Sequence, residues 1–269
     1  MQAHKTIHSA TTAADGAGFV PTATSGPADT LPPLPLSSNR RQTYAQMEQC
    51  IRRKAGVQPL RILEAGCGQK WPLNLDGVAF KLTAVDIDED ALNMRKSRVR
   101  DVDDIFVGDL RNRELFGPAS FDVIYNSFVL EHIENAQDVL DSFMHWLAPG
   151  GLLVLRIPDG DSVYGFLTRS SPHSVHVLYK KYVQGYPMAG KPGHGPYPTY
   201  YHPVVSRTGI HRYCREHGCR VVYEQGFSGY LPKSAVLGAL SRTAARTISA
   251  LSFGKLDWRY NNLTLVIEK

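Results

Sequence analysis

The stretch Leu60-Arg-Ile-Leu-Glu-Ala-Gly-Cys-Gly68 constrains this chain more than any other. Arg61 to Glu64 is a short, mainly apolar run with a β-branched residue, which reads as a buried strand. It runs into Gly66-Cys67-Gly68, where a backbone without Cβ turns sharply and lies close to a ligand. A strand ending in a glycine turn is how doubly wound α/β sheets open a nucleotide crevice. The next strand, Lys81-Leu-Thr-Ala-Val-Asp86, ends on a carboxylate at the spacing where such sheets hold a ribose diol. A dinucleotide fingerprint needs a third glycine three residues after the second, and that place is Trp71. An indole there would obstruct helix–strand packing, which disfavours NAD and FAD. Glu64, just before the first glycine, suits a ligand carrying positive charge.

Further elements follow in order. Ser37-Ser38-Asn39 supplies capping side chains for a helix carrying Tyr44, Met47 and Ile51 and stopped by Gly56. Residues 70–76 read as an irregular turn with a short helix behind it. Residues 88–100 read as a helix whose alternating charges face solvent. A third strand at 105–107 closes on Gly108-Asp109, a fourth covers 121–126, and Leu130-Glu131-His132-Ile133 comes after it. An amphipathic helix over 136–147 is broken by Pro149-Gly150-Gly151. The fifth strand, 152–157, is apolar apart from Arg156, as a strand buried on both faces should be. Sixth and seventh strands are expected at 220–224 and 263–267, with a helix over 205–217 ended by Gly218.

The order Glu64-x-Gly66-x-Gly68, Asp86, Asp109, Leu130-Glu131-His132, amphipathic helix, Ala148-Pro-Gly-Gly151, apolar strand resembles the class I S-adenosylmethionine (SAM) dependent methyltransferases. The resemblance covers residues 60–158, with echoes of the family's helices and strands to the C-terminus. Lys70 departs from it, standing where many relatives have a third glycine. The resemblance implies an α/β fold: a doubly wound, mostly parallel, seven-stranded Rossmann-like sheet with an antiparallel last strand and helical or loop lid insertions. It implies SAM as cofactor, with Glu64, Gly66 and Gly68 around the methionine end. Asp86, with Ile87 beside it, would take the ribose, Asp109 and Leu110 the adenine, and Asn126 would lie beside the methyl donor. Asp109 as a plain turn cap is the alternative. If the acceptor is a hydroxyl, His132 is the candidate base, with His194 or His173 arriving from the lid as others; His132 bracing its loop is the competing reading. Some magnesium-dependent relatives carry Glu-x-x-Glu-His in this loop. Here Phe128 replaces the first acid, so no metal is expected.

Composition sets the boundaries. Residues 1–36, rich in Ala, Thr, Gly and Pro, read as a disordered tail ending in a proline-rich segment, with a short polyproline stretch packing on the domain as the alternative. The remainder, 37–269, reads as one domain, with a substrate lid at 159–203 and a helical insert at 226–261. The lid is dense in Tyr and His. The insert carries a helix over 234–251, then Phe253, Leu256 and Trp258 beside Lys255 and Arg259. That pattern suits peripheral membrane contact or a lipid-like substrate, or packing on its own domain or on a second subunit. His211, Cys214, His217 and Cys219 fit no zinc-finger spacing and read as ordinary helix and core residues.

No apolar run is long enough to span a bilayer, no secretory signal opens the chain, and four scattered cysteines match no disulfide framework, so a cytoplasmic protein is expected. The net charge of +5 fits an acidic substrate, an anionic surface or an ordinary basic enzyme. Lys and Arg are spread along the chain, so no nucleic-acid partner is expected. The resulting expectation is methyl transfer to a hydroxyl of a small molecule, free or linked to a glycan or lipid. A nucleic-acid methyltransferase and a non-catalytic SAM-binding interaction module are the alternatives.

Overall fold

The computed structural model describes residues 31–37, 39–68, 70–183, 185–191, 195, 197–200, 202–228 and 235–269. Their strands are β1 (Leu36–Ser37), β2 (Leu60–Ala65), β3 (Phe80–Asp86), β4 (Asp104–Val107), β5 (Phe121–Ser127), β6 (Leu147–Pro158), β7 (Arg220–Phe227) and β8 (Asn262–Glu268). They form one sheet in the order β1-β7-β8-β6-β5-β2-β3-β4. β8 runs antiparallel to both neighbours, and every other pair is parallel. This is the mostly parallel α/β sheet expected from the sequence, with β1 added at its outer edge.

Strand residues alternate between two covered faces. One face carries Leu63, Ala65, Ile124, Leu153 and Leu155 and packs on α3 (Ala136–Trp146) and α6 (Arg207–His217). The other carries Ile62, Leu82, Val123, Tyr125 and Val154 and packs on Met47, Cys50 and Ile51 of α1 (Arg40–Lys54). Asn39 caps α1 by accepting from the amides of Arg41 and Gln42. The alternation places Glu64, Tyr125 and Arg156 on the α1 face and Asn126 on the opposite one, beside Ala65.

Three expectations need correction. Residues 31–36 do not belong to a disordered tail. Leu34 is buried in the core, the Pro35 carbonyl accepts from Gly226, and β1 pairs with the end of β7. A Cβ at Gly226 would sit 2.8 Å from both Leu34 and Leu36, so the glycine is what lets this segment dock. Residues 1–30 lie outside the described residues. Second, no helix follows the glycine turn. Pro72 and the alternation of buried Leu73 and Leu75 make 71–75 an extended strap across the α1 face that ends in a turn at Asp76–Gly77, where Val78 N donates to the Leu75 carbonyl; Glu48 holds it to α1 by accepting from Asn74 N at 2.8 Å. Third, the charged helix over 88–100 is not wholly solvated. α2 (Glu89–Met94) passes into a π-helical turn at Arg95–Val99, and Arg95 is 0% exposed.

The segment after β6 holds α4 (Val163–Ser170) and α5 (His173–Leu178), the latter continuing into a π-helical turn at Tyr179–Val183. The insert forms α7 (Ala235–Leu251), which packs against α4. Ser234 and Tyr201 lie outside the described residues. Trp258 is covered by the Arg246 guanidinium at 4.3 Å, while Phe253 is 93% exposed. Among the described residues no helix is long and apolar enough to cross a membrane.

Trp146 anchors the α3 face: it is fully buried, donates Nε1 to the Arg113 carbonyl at 2.7 Å and meets Phe116 edge-on. Trp146→Ala should destabilise the fold by about 3–5 kcal/mol, read as a lower urea midpoint with an unchanged slope.

Candidate functional site

The carboxyl ends of β2, β3, β5 and β6 open into a cavity of about 1220 Å³, at the place where open α/β sheets bind ligands. Its wall includes Glu64, Gly66, Gly68, Asp86, Ile87, Asp109, Leu110 and His132, all singled out from the sequence. Gly66 has φ +77°, and a Cβ there would collide with Val129. This turn therefore admits only glycine without moving the neighbouring loop. A Cβ at Gly68 would meet nothing within 4 Å, which leaves the backbone open to the cavity.

Beneath the turn lies an ion-pair network that the sequence did not reveal. Arg95 Nη1 is 2.6 Å from Glu64 Oε2, and Arg95 Nε donates to Asp101 at 2.9 Å. Nη1 also donates to the Gly68 carbonyl at 3.3 Å, and Asp101 accepts from Trp71 N at 2.6 Å. Glu64 is thus engaged from within the protein rather than waiting for a cationic ligand. Burial pushes its carboxyl up to about 7, against the pull of the Arg95 charge.

Two carboxylates mark the β3–β4 side. Asp86 accepts from the Asp88 amide at 3.0 Å, and burial raises its pKa. Asp109 accepts from the Arg111 amide at 2.9 Å and from its guanidinium at 2.6 Å. That hydrogen bonding holds the Asp109 pKa below the usual carboxylate range. The turn-capping role of Asp109 is therefore present, alongside its place in the cavity wall. Ile87 is 75% exposed, and the Leu110 side chain is buried in the core.

The β5–β6 side differs from expectation. Asn126 is 0% exposed, does not line the cavity, and donates Nδ2 to the Ala65 carbonyl at 2.8 Å. Strand alternation explains this: Tyr125 and Ser127, one step away on either side, line the wall instead. Phe128 follows with φ +57°, an unfavourable conformation for an aromatic residue, as seen where surrounding structure holds strain at a site. Tyr44, Arg156 and Phe227 complete this side. The departure of Arg156 from an apolar strand was the sequence signal for it.

His132 sits between the two sides. Its Nδ1 lies 2.8 Å from the Pro198 carbonyl, which can only accept, so Nδ1 carries the proton and neutral Nε2 keeps its lone pair. Burial lowers the His132 pKa. Neighbouring Glu131 is pushed up to about 8 by burial, so at neutral pH it is mostly protonated and adds little to stabilise an imidazolium. Tyr200 N donates to the Glu131 carbonyl at 2.7 Å, and the Tyr197 ring meets His132 edge-on, so 197–200 forms a strap over this turn. His173 does not line the cavity and lies beside His176 on α5; His194 is outside the described residues. No cluster of three or more His, Cys, Asp or Glu side chains suited to a metal occurs among the described residues. His211 instead pairs with Glu224 at 2.9 Å, and Cys214 is a buried free thiol.

Residues 39–224 match the family described as methyltransferase domain. Among solved structures, magnesium protoporphyrin IX methyltransferase from Synechocystis PCC 6803, with bound S-adenosylhomocysteine (SAH), is 14% identical over 85% of this chain and 82% of its own, with a TM-score of 0.51. A SAM-dependent methyltransferase from Archaeoglobus fulgidus is 15% identical over 86% of this chain and 95% of its own, with a TM-score of 0.49. At 14% identity the likeness to the Synechocystis enzyme is one of fold. No curated protein matches the sequence.

The Arg95 network makes a stability prediction. Arg95→Met leaves Glu64 buried without its counter-charge and should cost about 3–5 kcal/mol. The double variant Glu64→Gln/Arg95→Met should be more stable than Arg95→Met alone, and denaturant midpoints of the three proteins check it.

Proposed function

This chain belongs to the methyltransferase-domain family over residues 39–224, the class I SAM-dependent methyltransferases, and from that premise we propose that it methylates a hydroxyl of a small molecule, with His132 as general base. The observation that most supports this reading is the single cavity in which the Gly66–Gly68 turn, Asp86, Asp109 and His132 meet. These residues fit SAM. The turn offers bare backbone to the amino-acid end, and an ionised Asp86 has more acceptor positions than its loop amides occupy. Arg111 reaches both Asp109 oxygens through its amide and guanidinium, so an adenine amino group would have to share or displace that exposed guanidinium.

SAM supplies a methyl group on a sulfonium that is already activated. What falls to the protein is alignment of the acceptor, exclusion of water and removal of one proton. The 197–200 strap narrows the cavity over His132, whose Nε2 would accept the hydroxyl proton. Glu64 and Arg95 hold the turn from below, and Asn126 fixes the end of β2 through Ala65. The cavity exceeds the roughly 300–1,000 Å³ of ordinary ligand pockets, which leaves room for an acceptor beside the cofactor, a glycan- or lipid-linked one included.

Carboxylates in the wall (Glu64, Asp86, Asp88, Asp109, Glu134) outnumber the cations Lys70, Arg111 and Arg156. That balance disfavours a nucleic-acid backbone as acceptor. Free thiols at Cys50, Cys67, Cys214 and Cys219 support a reducing compartment and hence the cytoplasm.

Mass spectrometry of a metabolite extract incubated with the protein and methyl-labelled SAM tests the reading, with labelled product and SAH expected together. With that acceptor, His132→Gln should lower kcat by at least about 100-fold while SAM affinity by calorimetry changes less than about threefold. Asp86→Ala should weaken SAM binding at least about tenfold. Only neutral His132 can take a proton, and burial holds its pKa below that of an ordinary imidazole. The acid limb of kcat/KM should therefore fall below about pH 6.5 and vanish in His132→Gln.

A further inference from the structure

Among the described residues the other two arginines held inside the fold meet carboxylates: Arg95 meets Glu64 and Asp101, and Arg207 meets Glu224. Arg156 is 4% exposed and makes no ion pair with any described residue. Its guanidinium carbon lies 4.8 Å from the Tyr44 ring centroid, 5.0 Å from Phe128 and 5.1 Å from Phe227. Nη1 donates to the Tyr44 hydroxyl at 2.7 Å and more weakly to Ser127 at 3.5 Å, while buried Nε has no partner. The Arg156 carbonyl accepts from Phe128 N at 2.7 Å, which ties the strained Phe128 backbone to this cage. Aromatic faces and hydroxyls offset part of the cost of a buried cation but supply no counter-charge.

The cage has a definite place in the cavity. The wall carboxylates lie on β2, β3 and the turns beside β4, with Glu134 close enough to act on Arg111. Arg156 lies on β6, two strands beyond β2 and on the far side of the glycine turn from Asp86. Two strand spacings are roughly 10 Å. Its remaining walls come from α1 and the end of β7, away from the nucleoside side. We propose that Arg156, framed by Tyr44, Phe128 and Phe227, binds an oxyanion of the methyl acceptor, so that the acceptor is an acid bearing a carboxylate or phosphate. This rests on the methyltransferase reading above and narrows it to one substrate class. A guanidinium suits such a group because it donates to two oxygens at once.

The test uses the full chain with methyl-labelled SAM and a small-molecule extract split by anion-exchange chromatography into anionic and neutral pools. Label should enter the anionic pool only. Arg156→Met should cut that transfer at least about tenfold, while calorimetric SAM affinity stays within about threefold of the parent. Arg156→Lys should restore part of the transfer, and its thermal melt controls for folding. Label in the neutral pool, or in neither pool, overturns the proposal. A tenfold loss of SAM affinity in Arg156→Met also overturns it, by assigning the guanidinium to the cofactor's own carboxylate. Failure of the parent protein to bind SAM at all would instead sink the methyltransferase reading itself.

Discussion

The arrangement depends on one buried cation, Arg95. In doubly wound sheets a helix usually follows the first glycine turn and backs it. Here an extended strap follows instead, so the turn needs another support. Arg95 provides it by holding the Glu64 carboxylate, the Gly68 carbonyl and Asp101, which in turn holds Trp71 at the start of the strap. The π-helical turn beginning at Arg95 belongs to the same device, because local widening of a helix re-aims its side chains and often marks a functional region. A charge this deep is tolerable because it is paired on two sides and satisfied by backbone.

Much of the sheet was legible because buried parallel strands leave short apolar runs between turn residues. The glycine turn, strand-end carboxylates and Leu-Glu-His loop fall at the carboxyl ends of those strands, so most residues singled out from the sequence share one cavity. The misreadings have specific causes. Arg95 sits among exposed charges at Lys96, Arg98 and Arg100, and nothing in composition separates it from them. At 70–76 composition suggests a turn and short helix, although Leu73 and Leu75 already show the two-residue alternation of extended chain. Position along the strand points Asn126 toward the cavity, but its place one residue from Tyr125 decides its face. Docking of 31–36 depends on a long-range fit between Leu34, Leu36 and Gly226, which local sequence does not encode.

The cavity separates charge along the sheet. Most of its carboxylates gather where a ribose and an adenine would be held on the proposed reading, and the buried guanidinium of Arg156, without an ion pair among the described residues, lies on the opposite side of the glycine turn. On the proposed reading the neutral ribose and adenine would be held by hydrogen bonds to Asp86 and Asp109, while the field acts on the charged sulfonium and amino-acid end of the cofactor. An acidic acceptor would place its anionic end at Arg156. The two would meet over Tyr125 and Ser127, the wall residues that strand alternation puts in Asn126's stead.

His132 stands at that meeting point, and its competence is tied to the strap. The Pro198 carbonyl fixes the proton on Nδ1, which leaves Nε2 free to accept one. If the strap swung away, that tautomer would lose its anchor and the ring its orientation, and the buried, mostly protonated Glu131 would be a poor substitute. On the proposed reading, closing over an acceptor and arming the base would therefore be one hydrogen bond. The wall that would exclude water during transfer would also decide which imidazole nitrogen can act. Lid and base would then form a single element, joined through the backbone contact of Tyr200 with Glu131.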